Sequence, residues 1–547
     1  MRRSGAPHGK SCVRLHMKGQ SFIKGALIIS VGGLAAKLLG AFYRIPLSNA
    51  LGGEGMGIYQ MVYPLYCLLL TLSATGIPSG LCRLVAQAEA AGAQGRSSAI
   101  LRRALFLFSA IGLAGSLVMF ALSPVMSAVQ REAGASLAYK MLSPSVLFVS
   151  VISCFRGYFQ GKGNFLPTAF SEILEQLVKI ALGLFFAYAY RANTVLAVSY
   201  SLLAVTVSEA AAALFMVAAG AISVRSAVRP LYRERALGVK AGALLRFILP
   251  VAVAAGVLPL SNILDSVIIV NLISRYSENA TALYGVFTGG ANTLVNLPVS
   301  VCYGLAAAVI PLISSLYERG EYAEAEKKIC FALKCTFFIS LPAAAFLFAF
   351  PSQTAALLFR SVAGEERVWL VRLIRTMSVG AVLLSAVQTL SACLTGRGKP
   401  KVAAASMTAG VAVKLAVEFL LVRNPEISIS GAAIASICCY FVALSVNLLY
   451  SIRDKKNLAR AAAGGGRFAL FAAAAVGAAY PLRSLGALTV LAVAAAIYLP
   501  LCVLCKGFSR EEINFLKRRK KHDNGDRVGV RPSGSHGRRE RSDPRRG

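Results

Sequence analysis

The sequence predicts an all-α polytopic membrane protein of about 14 transmembrane helices. These form two parallel-repeat six-helix lobes with an extra C-terminal helix pair. Three observations predict this. From about Ile23 to Cys505, long apolar runs alternate with short connectors, within a chain that is 56% hydrophobic and 15% charged, with mean hydropathy +0.64. A run of about 20 apolar residues spans the hydrocarbon core as a helix, and in lipid each segment must satisfy its own backbone polar groups. The connectors also alternate between cation-rich and cation-poor. Finally, two motifs recur at one constant offset.

The spans are expected at about 23–47, 58–82, 104–128, 137–160, 168–190, 194–220, 243–272, 281–315, 330–351, 368–394, 402–423, 429–451, 466–482 and 484–505. With residues 1–22 as a cytoplasmic N-terminal segment, the inside connectors carry Arg83, Arg96, Arg102 and Arg103, then Arg156 and Lys162, then Arg225, Arg229, Arg233, Arg235 and Lys240. Further along come Arg319, Lys327 and Lys328; Arg397, Lys399 and Lys401; and Arg453, Lys455, Lys456 and Arg460. The outside connectors offer single cations (Arg131, Arg191, Arg275, Arg423, Arg483), the exception being Arg360–Arg375, where Glu365 and Glu366 intervene. Cations concentrate on the cytoplasmic side of bacterial membrane proteins, so both termini are expected there. The Met17-Lys18 pair ahead of the first span suggests a start at Met17, with residues 1–16 an upstream extension.

Gly161-Lys162-Gly163 and Gly396-Arg397-Gly398 are 235 residues apart, as are Val178-Lys179-Ile180-Ala181 and Val413-Lys414-Leu415-Ala416. Six spans separate the copies, so the halves share one orientation. The expected division is an N-lobe over 23–220, a cytoplasmic linker over 221–242, a C-lobe over 243–451, the extra pair within 466–505 and a basic disordered tail over 506–547. Pro78 in the second span and Pro298 in the eighth occupy matching spans as helix-bending positions.

The net charge of +34 is carried by connectors and tail, a distribution suited to anionic lipid rather than nucleic acid. The twelve cysteines are scattered through apolar runs, and the four histidines (His8, His16, His522, His536) all lie in the tails. No Walker A loop, HExxH or DxD is present, so neither an enzyme nor a metal or other cofactor is expected.

Charges within spans cost about 2.5–3.5 kcal/mol each at the bilayer centre and so mark candidate sites. Lys37 and Arg44 lie seven residues, two turns, apart on one face of the first span, where they either hold a phosphate or snorkel to a headgroup region. Glu175 and Lys179 form an i,i+4 pair in the fifth span, and Lys414 and Glu418 repeat it in the eleventh. Structural ion pairing is one reading; the other is that both lysines line a pseudo-symmetric cavity. Asp265, the one aspartate within a span, is placed to pair with a first-lobe cation across that cavity, and Glu209 is a further ion-coupling candidate.

Phe22-Ile23-Lys24-Gly25-Ala26-Leu27, Lys37-Leu38-Leu39-Gly40-Ala41-Phe42-Tyr43-Arg44 and Leu51-Gly52-Gly53-Glu54-Gly55-Met56-Gly57-Ile58-Tyr59-Gln60 resemble the start of the stage V sporulation protein B family. Thr75-Gly76-Ile77-Pro78, Leu84-Val85-Ala86 and Phe159-Gln160-Gly161-Lys162-Gly163 extend the likeness, which covers 17–505 in span pattern. These are polysaccharide-biosynthesis proteins, MurJ-like lipid flippases of the multidrug/oligosaccharidyl-lipid/polysaccharide (MOP) superfamily. The resemblance implies alternating access that moves an undecaprenyl-pyrophosphate-linked saccharide, either lipid II or a polysaccharide repeat unit, from inner to outer leaflet. It also implies a bacterial cell membrane location, pyrophosphate contacts at Lys37 and Arg44, and cell-wall or spore-envelope synthesis machinery as partners. Two alternatives remain: a cation-coupled multidrug antiporter, favoured by Asp265 and Glu209, and a non-transporting envelope scaffold.

Overall fold

The computed structural model describes residues 19–74, 76–91, 94–226, 241–452, 454–505 and 507–508. The sequence expectations for 1–18, most of the 221–242 linker and the tail beyond Phe508 therefore lie outside the described residues. The described chain is helical throughout, in the order α1 (Gly19–Ala74), α2 (Ile77–Ala90), α3 (Gln94–Val129), α4 (Ala135–Leu142), α5 (Ser145–Gly161), α6 (Leu166–Ala189), α7 (Thr194–Ser226), α8 (Ala241–Ile273) and α9 (Ala280–Gly285). A π-helical stretch, Val286–Ala291, leads into α10 (Asn292–Glu318). Then come α11 (Tyr322–Ala349), α12 (Pro351–Leu358), α13 (Gly364–Gly396), α14 (Pro400–Val422), α15 (Ser430–Ser451), α16 (Lys455–Ala479), a 3-10 turn at Tyr480–Leu485, and α17 (Ala487–Leu504).

Eleven helices among the described residues are long and apolar enough to cross a membrane. One of these eleven runs from Leu38 to Ala90 and is too long for one crossing, and it is interrupted twice. At Gly52 the backbone takes φ +70°, ending the first arm of α1. At Gly76 it takes φ +93°. The expected bend at Pro78 is therefore a restart: Pro78 sits in the first turn of α2, where its missing N–H has no partner to lose. Pro298 lies inside the continuous helix α10, and the irregular turn of that segment is the π stretch just before it. Two apolar helices fall outside the eleven. One is α6, whose Glu172, Glu175 and Lys179 interrupt its hydropathy; the other is α10.

Packing separates by sequence. Two buried clusters draw on residues 43–205 and 74–216, among them Leu47, Tyr139, Leu202, Ile77 and Tyr158. Two others draw on 269–433 and 313–461, and only Met61 crosses into them from the first half. Outward-facing Phe106, Leu214, Leu420 and Leu470 are 70% exposed or more, as lipid-facing side chains are when no bilayer is present. A smaller cluster of Phe350, Ala479, Val490 and Ala494 binds α16 and α17 to the end of α11. The chain divides into two compact units after Tyr498, and of the second unit only residues 499–505 and 507–508 are described.

Candidate functional site in the inter-half cavity

Helix α1 packs against α6 and α7 of its own half and against α8, α9 and α10 of the other. Between α1, α6 and α10 it leaves a cavity of about 460 Å³. Ala36, Gly40, Ala41, Tyr43 and Arg44 line it from the first arm of α1, and Tyr59 and Tyr63 line it from the second. Gln176 and Lys179 face it from α6, and Thr293, Asn296 and Ser300 face it from α10. Small residues at 36, 40 and 41 open the space, because a larger side chain on that stripe would fill it. A Cβ at Gly40 would already lie 3.2 Å from Gln176 Oε1.

Among the described residues, the lining contains two cations and no carboxylate. Neither Arg44 nor Lys179 joins an ion pair among the described residues. Tyr59 and Tyr63 stack with ring centroids 5.7 Å apart, and Tyr63 meets Tyr66 edge-on at 5.4 Å. The wall is thus a positive, hydrogen-bonding surface with an aromatic platform, able to hold an anionic group bearing hydroxyls.

The carboxylates stand behind this wall, each engaged elsewhere. Glu175 Oε2 accepts from Arg156 Nη2 at 3.2 Å, while Arg156 Nε reaches Ser171 Oγ at 3.1 Å. The expected Glu175–Lys179 pair does not form, because the planar guanidinium on α5 reaches Glu175 in register and leaves Lys179 to the cavity. Arg156, read from sequence as a connector cation, lies within α5 and is partly buried. Glu209 is 2% exposed and accepts from the Tyr66 hydroxyl, so it backs the cavity rather than lining it.

The second half differs. Lys414 does not line the cavity; its ammonium is bound to Asp265 of α8. Asp265 therefore pairs with a cation of its own half, not with one across the cavity, and Glu418 is not the ion-pair partner of Lys414. The 235-residue offset that aligns Lys179 with Lys414 puts Gly183 opposite Glu418. The first lysine has no acid at that position, where Tyr43 packs over Gly183 instead. Lys37 is helical in α1, one turn before Ala41, and its side chain lies outside the described ones.

Tyr59, Tyr63, Gln176, Thr293 and Asn296 escaped the sequence reading as site residues. The signal for the tyrosines was present: 59, 63 and 66 fall on one helical face. The α10 residues carry no charge to advertise them.

At the cation-poor end of the bundle the halves are joined. Asn49 Nδ2 donates to Leu358 O at 2.6 Å, and Ser361 N donates to Asn49 Oδ1 at 3.2 Å. Thr281 Oγ1 donates to Glu132 Oε2 at 2.8 Å, and Asn271 Nδ2 donates to Val129 O at 2.7 Å. Glycines permit backbone contact there: a Cβ at Gly285 would lie 2.0 Å from Gly53 O, and one at Gly57 would lie 2.1 Å from Thr281 O. The cavity is closed towards that end.

A many-helix bundle that sets two cations in a cavity between two separately cored halves is the architecture of a multi-pass membrane transporter. The polysaccharide biosynthesis protein family matches residues 22–317, more than half of the sequence, and the chain belongs to that family. The MatE family matches residues 250–420. The chain is 27% identical over 434 residues to Stage V sporulation protein B of Bacillus subtilis (strain 168), covering 77% of this chain and 81% of the relative. It is 21% identical over 451 residues to Lipid II flippase MurJ of the same organism, covering 77% and 81%. Among solved structures, Lipid II flippase MurJ in an inward closed conformation superposes with TM-score 0.66 at 13% identity, over 88% of this chain and 99% of that one. An inward-facing multidrug resistance MATE family transporter of the MOP superfamily superposes with TM-score 0.62 at 19% identity, over 78% and 95%.

Proposed function

We propose that the protein is a flippase that carries an undecaprenyl-pyrophosphate-linked saccharide from the inner to the outer leaflet by alternating access. The observation that carries this reading is the inter-half cavity, whose described lining holds Arg44 and Lys179, neither in an ion pair among the described residues, and no carboxylate. A doubly charged pyrophosphate is drawn to such a wall, whereas a cationic drug is repelled by it. The stacked Tyr59 and Tyr63, with Thr293, Asn296 and Ser300 opposite, suit a saccharide's apolar faces and hydroxyls. Arg44 and Lys179 are the proposed phosphate ligands, joined by Lys37 from the same face of α1. The supporting relatives are the flippase and the sporulation protein described above.

The same reading takes the two halves as N-lobe 23–220 and C-lobe 243–451, consistent with their separate cores, with α16 and α17 as the extra pair. It counts 14 crossings: the eleven apolar helices, α6, α10, and one more because Leu38–Ala90 crosses twice. Both termini then lie in the cytoplasm of a bacterial cell, and the joined, cation-poor end faces outward. Basic loops lie against anionic lipid, and cell-wall or spore-envelope synthases supply and consume the cargo. No catalysis is assigned to the chain.

The test is translocation of fluorescent undecaprenyl-pyrophosphate disaccharide-pentapeptide in proteoliposomes. Wild type is compared with Lys37→Ala/Arg44→Ala and with Lys179→Ala at matched incorporation. Flipping by the wild type that the variants lose supports the reading. Folded wild-type protein that flips neither this lipid nor another polyprenyl-pyrophosphate saccharide, yet exports cationic amphiphiles, would establish the antiporter instead.

A further inference from the structure

One connector at the joined end breaks the charge pattern that the others keep. Arg360, Arg367, Arg372 and Arg375 stand between Phe359 and Thr376, where every other connector at that end carries at most one cation. Outward connectors are ordinarily poor in cations, so four together need something anionic to face. Arg372 lies over the Trp369 ring at 5.4 Å. Arg372 and Arg375 share an exposed face of α13 with Val368 and Val379, themselves 68% and 50% exposed. Cations on such an apolar outward face reach for headgroup phosphates.

Arg360 has a cavity of its own. A space of about 580 Å³ opens at the seam between the halves, within the roughly 300–1,000 Å³ usual for small-ligand sites. Pro46 and Asn49 of α1 and Tyr188 of α6 wall it from the first half, and Leu358, Arg360 and Ser361 wall it from the second. Among the described residues its lining has one cation and no carboxylate, and Arg360 joins no ion pair. The two acids of the connector are engaged elsewhere: Glu365 Oε1 accepts from Trp369 Nε1 at 3.2 Å, and Glu366 packs on Gly53. Asn49 Nδ2 donates one hydrogen to Leu358 O and has a second to offer, and Tyr188 adds a phenol hydroxyl.

Aromatic residues give the depth of this cavity. Tyr188, in its wall, is 51% exposed, and Trp369 and the 47% exposed Tyr480 belong to the same end. Tyr480 is tied there because Gln353 Nε2 of α12 donates to Arg483 O at 3.5 Å. Exposed Trp and Tyr concentrate where hydrocarbon meets headgroups. The cavity therefore opens at headgroup level, with apolar Pro46 and Leu358 beside the guanidinium. A planar guanidinium at that level suits phosphate, which it grips through two parallel hydrogen bonds. A choline headgroup would set a second cation against Arg360 with no carboxylate to receive it, so a headgroup of net negative charge fits better. The walls come from both halves, and Asn49, which joins them, is one of the walls. A ligand seated here binds the joined state and not the separated one, and so raises the joined state's population.

We propose that this cavity holds the phosphate headgroup of an anionic phospholipid of the outer leaflet, which fastens the two halves together at the seam. That the leaflet is the outer one rests on the transporter reading above; the lipid site itself does not. Free phosphate and the pyrophosphate of a cargo share the chemistry, and the test separates them.

The test uses the full chain in nanodiscs without cargo. Both leaflets then have one composition, so the result depends neither on transport nor on orientation. Replacing part of the phosphatidylcholine by phosphatidylglycerol should slow hydrogen–deuterium exchange at 45–50 and 357–362. Arg360→Gln should abolish that protection and lower phosphatidylglycerol retention in native mass spectrometry about tenfold, as loss of one charge-assisted hydrogen bond does. Arg483→Gln, which changes an exposed arginine of the same end outside the cavity, should keep both. Inorganic phosphate added to pure phosphatidylcholine discs should protect nothing. Folded protein that phosphatidylglycerol does not protect, or protection that survives Arg360→Gln, overturns the site. Protection by inorganic phosphate overturns the lipid source and makes it a free-anion site. Undecaprenyl pyrophosphate that protects the same peptides where phosphatidylglycerol does not makes it a station for the cargo instead. Lipid retained through Arg360 with unchanged exchange overturns the fastening of the halves.

Discussion

Gly285→Ala is the sharpest probe of how the halves close. A Cβ at this position would meet Gly53 O at 2.0 Å, Gly57 N at 2.5 Å and Gly57 Cα at 2.9 Å. All three are backbone atoms of α1, so no side chain can rotate away, and ordinary carbon contact begins at about 3.5 Å. Helix α9 must therefore retreat from α1 by more than 1 Å, roughly, if the methyl is to fit. Overpacking of this kind costs about 1–3 kcal/mol. Applied to the joined state alone, that lowers its population relative to the open state by roughly 5- to 150-fold. Hydrogen–deuterium exchange reads the change directly. Peptides spanning 127–135 and 276–290 should lose protection, whereas those within 430–451, remote from the seam, should not. Gly466→Ala is the control: nothing lies within 4 Å of its added Cβ, and it sits inside α16, where alanine is favoured over glycine by about 1 kcal/mol. Unchanged seam exchange in folded Gly285→Ala would refute the claim that this glycine contact holds the halves together.

Three further outcomes follow from the same geometry. Arg44→Ala and Lys179→Ala should each weaken binding of a polyprenyl pyrophosphate by about 10- to 100-fold, the loss of one charge-assisted hydrogen bond of about 1.5–3 kcal/mol, with Arg44→Lys retaining part of it; fluorescence-quench titration in nanodiscs measures this. Glu175→Gln leaves the partly buried Arg156 guanidinium without its carboxylate and should lower the thermal midpoint, while Arg156→Met/Glu175→Met should recover most of the loss because the orphaned charge is gone. Asn49→Ala removes a donor to Leu358 O and an acceptor for Ser361 N, worth about 1 kcal/mol each, so exchange at 357–362 should rise without loss of the fold.

The helices were legible because lipid allows few alternatives: an apolar run near 20 residues long must fold as a helix, whatever its neighbours do. The charges within the spans were legible as important for the same reason, since each is too costly to keep without a partner or a task. Their partners were not. Pairing by i,i+4 is a local rule. It assigns Glu175 to Lys179 and Glu418 to Lys414, while the structure gives Glu175 to an arginine on the preceding helix and Lys414 to an aspartate 149 residues away. What decides the outcome is which neighbouring helix presents an opposite charge at the same depth, and that depends on packing, which no single window contains. The internal repeat sharpens the point. Its two lysines share sequence context and depth, so symmetry assigns them one role. Glu418 breaks the symmetry, standing where the first half has Gly183, and Asp265 binds the second lysine while the first joins no ion pair among the described residues. One lysine is thereby neutralised and withdrawn, and the other is left facing the cavity. Division of labour between the halves therefore rests on where Asp265 stands against an otherwise repeated lysine, a contact that one substitution removes.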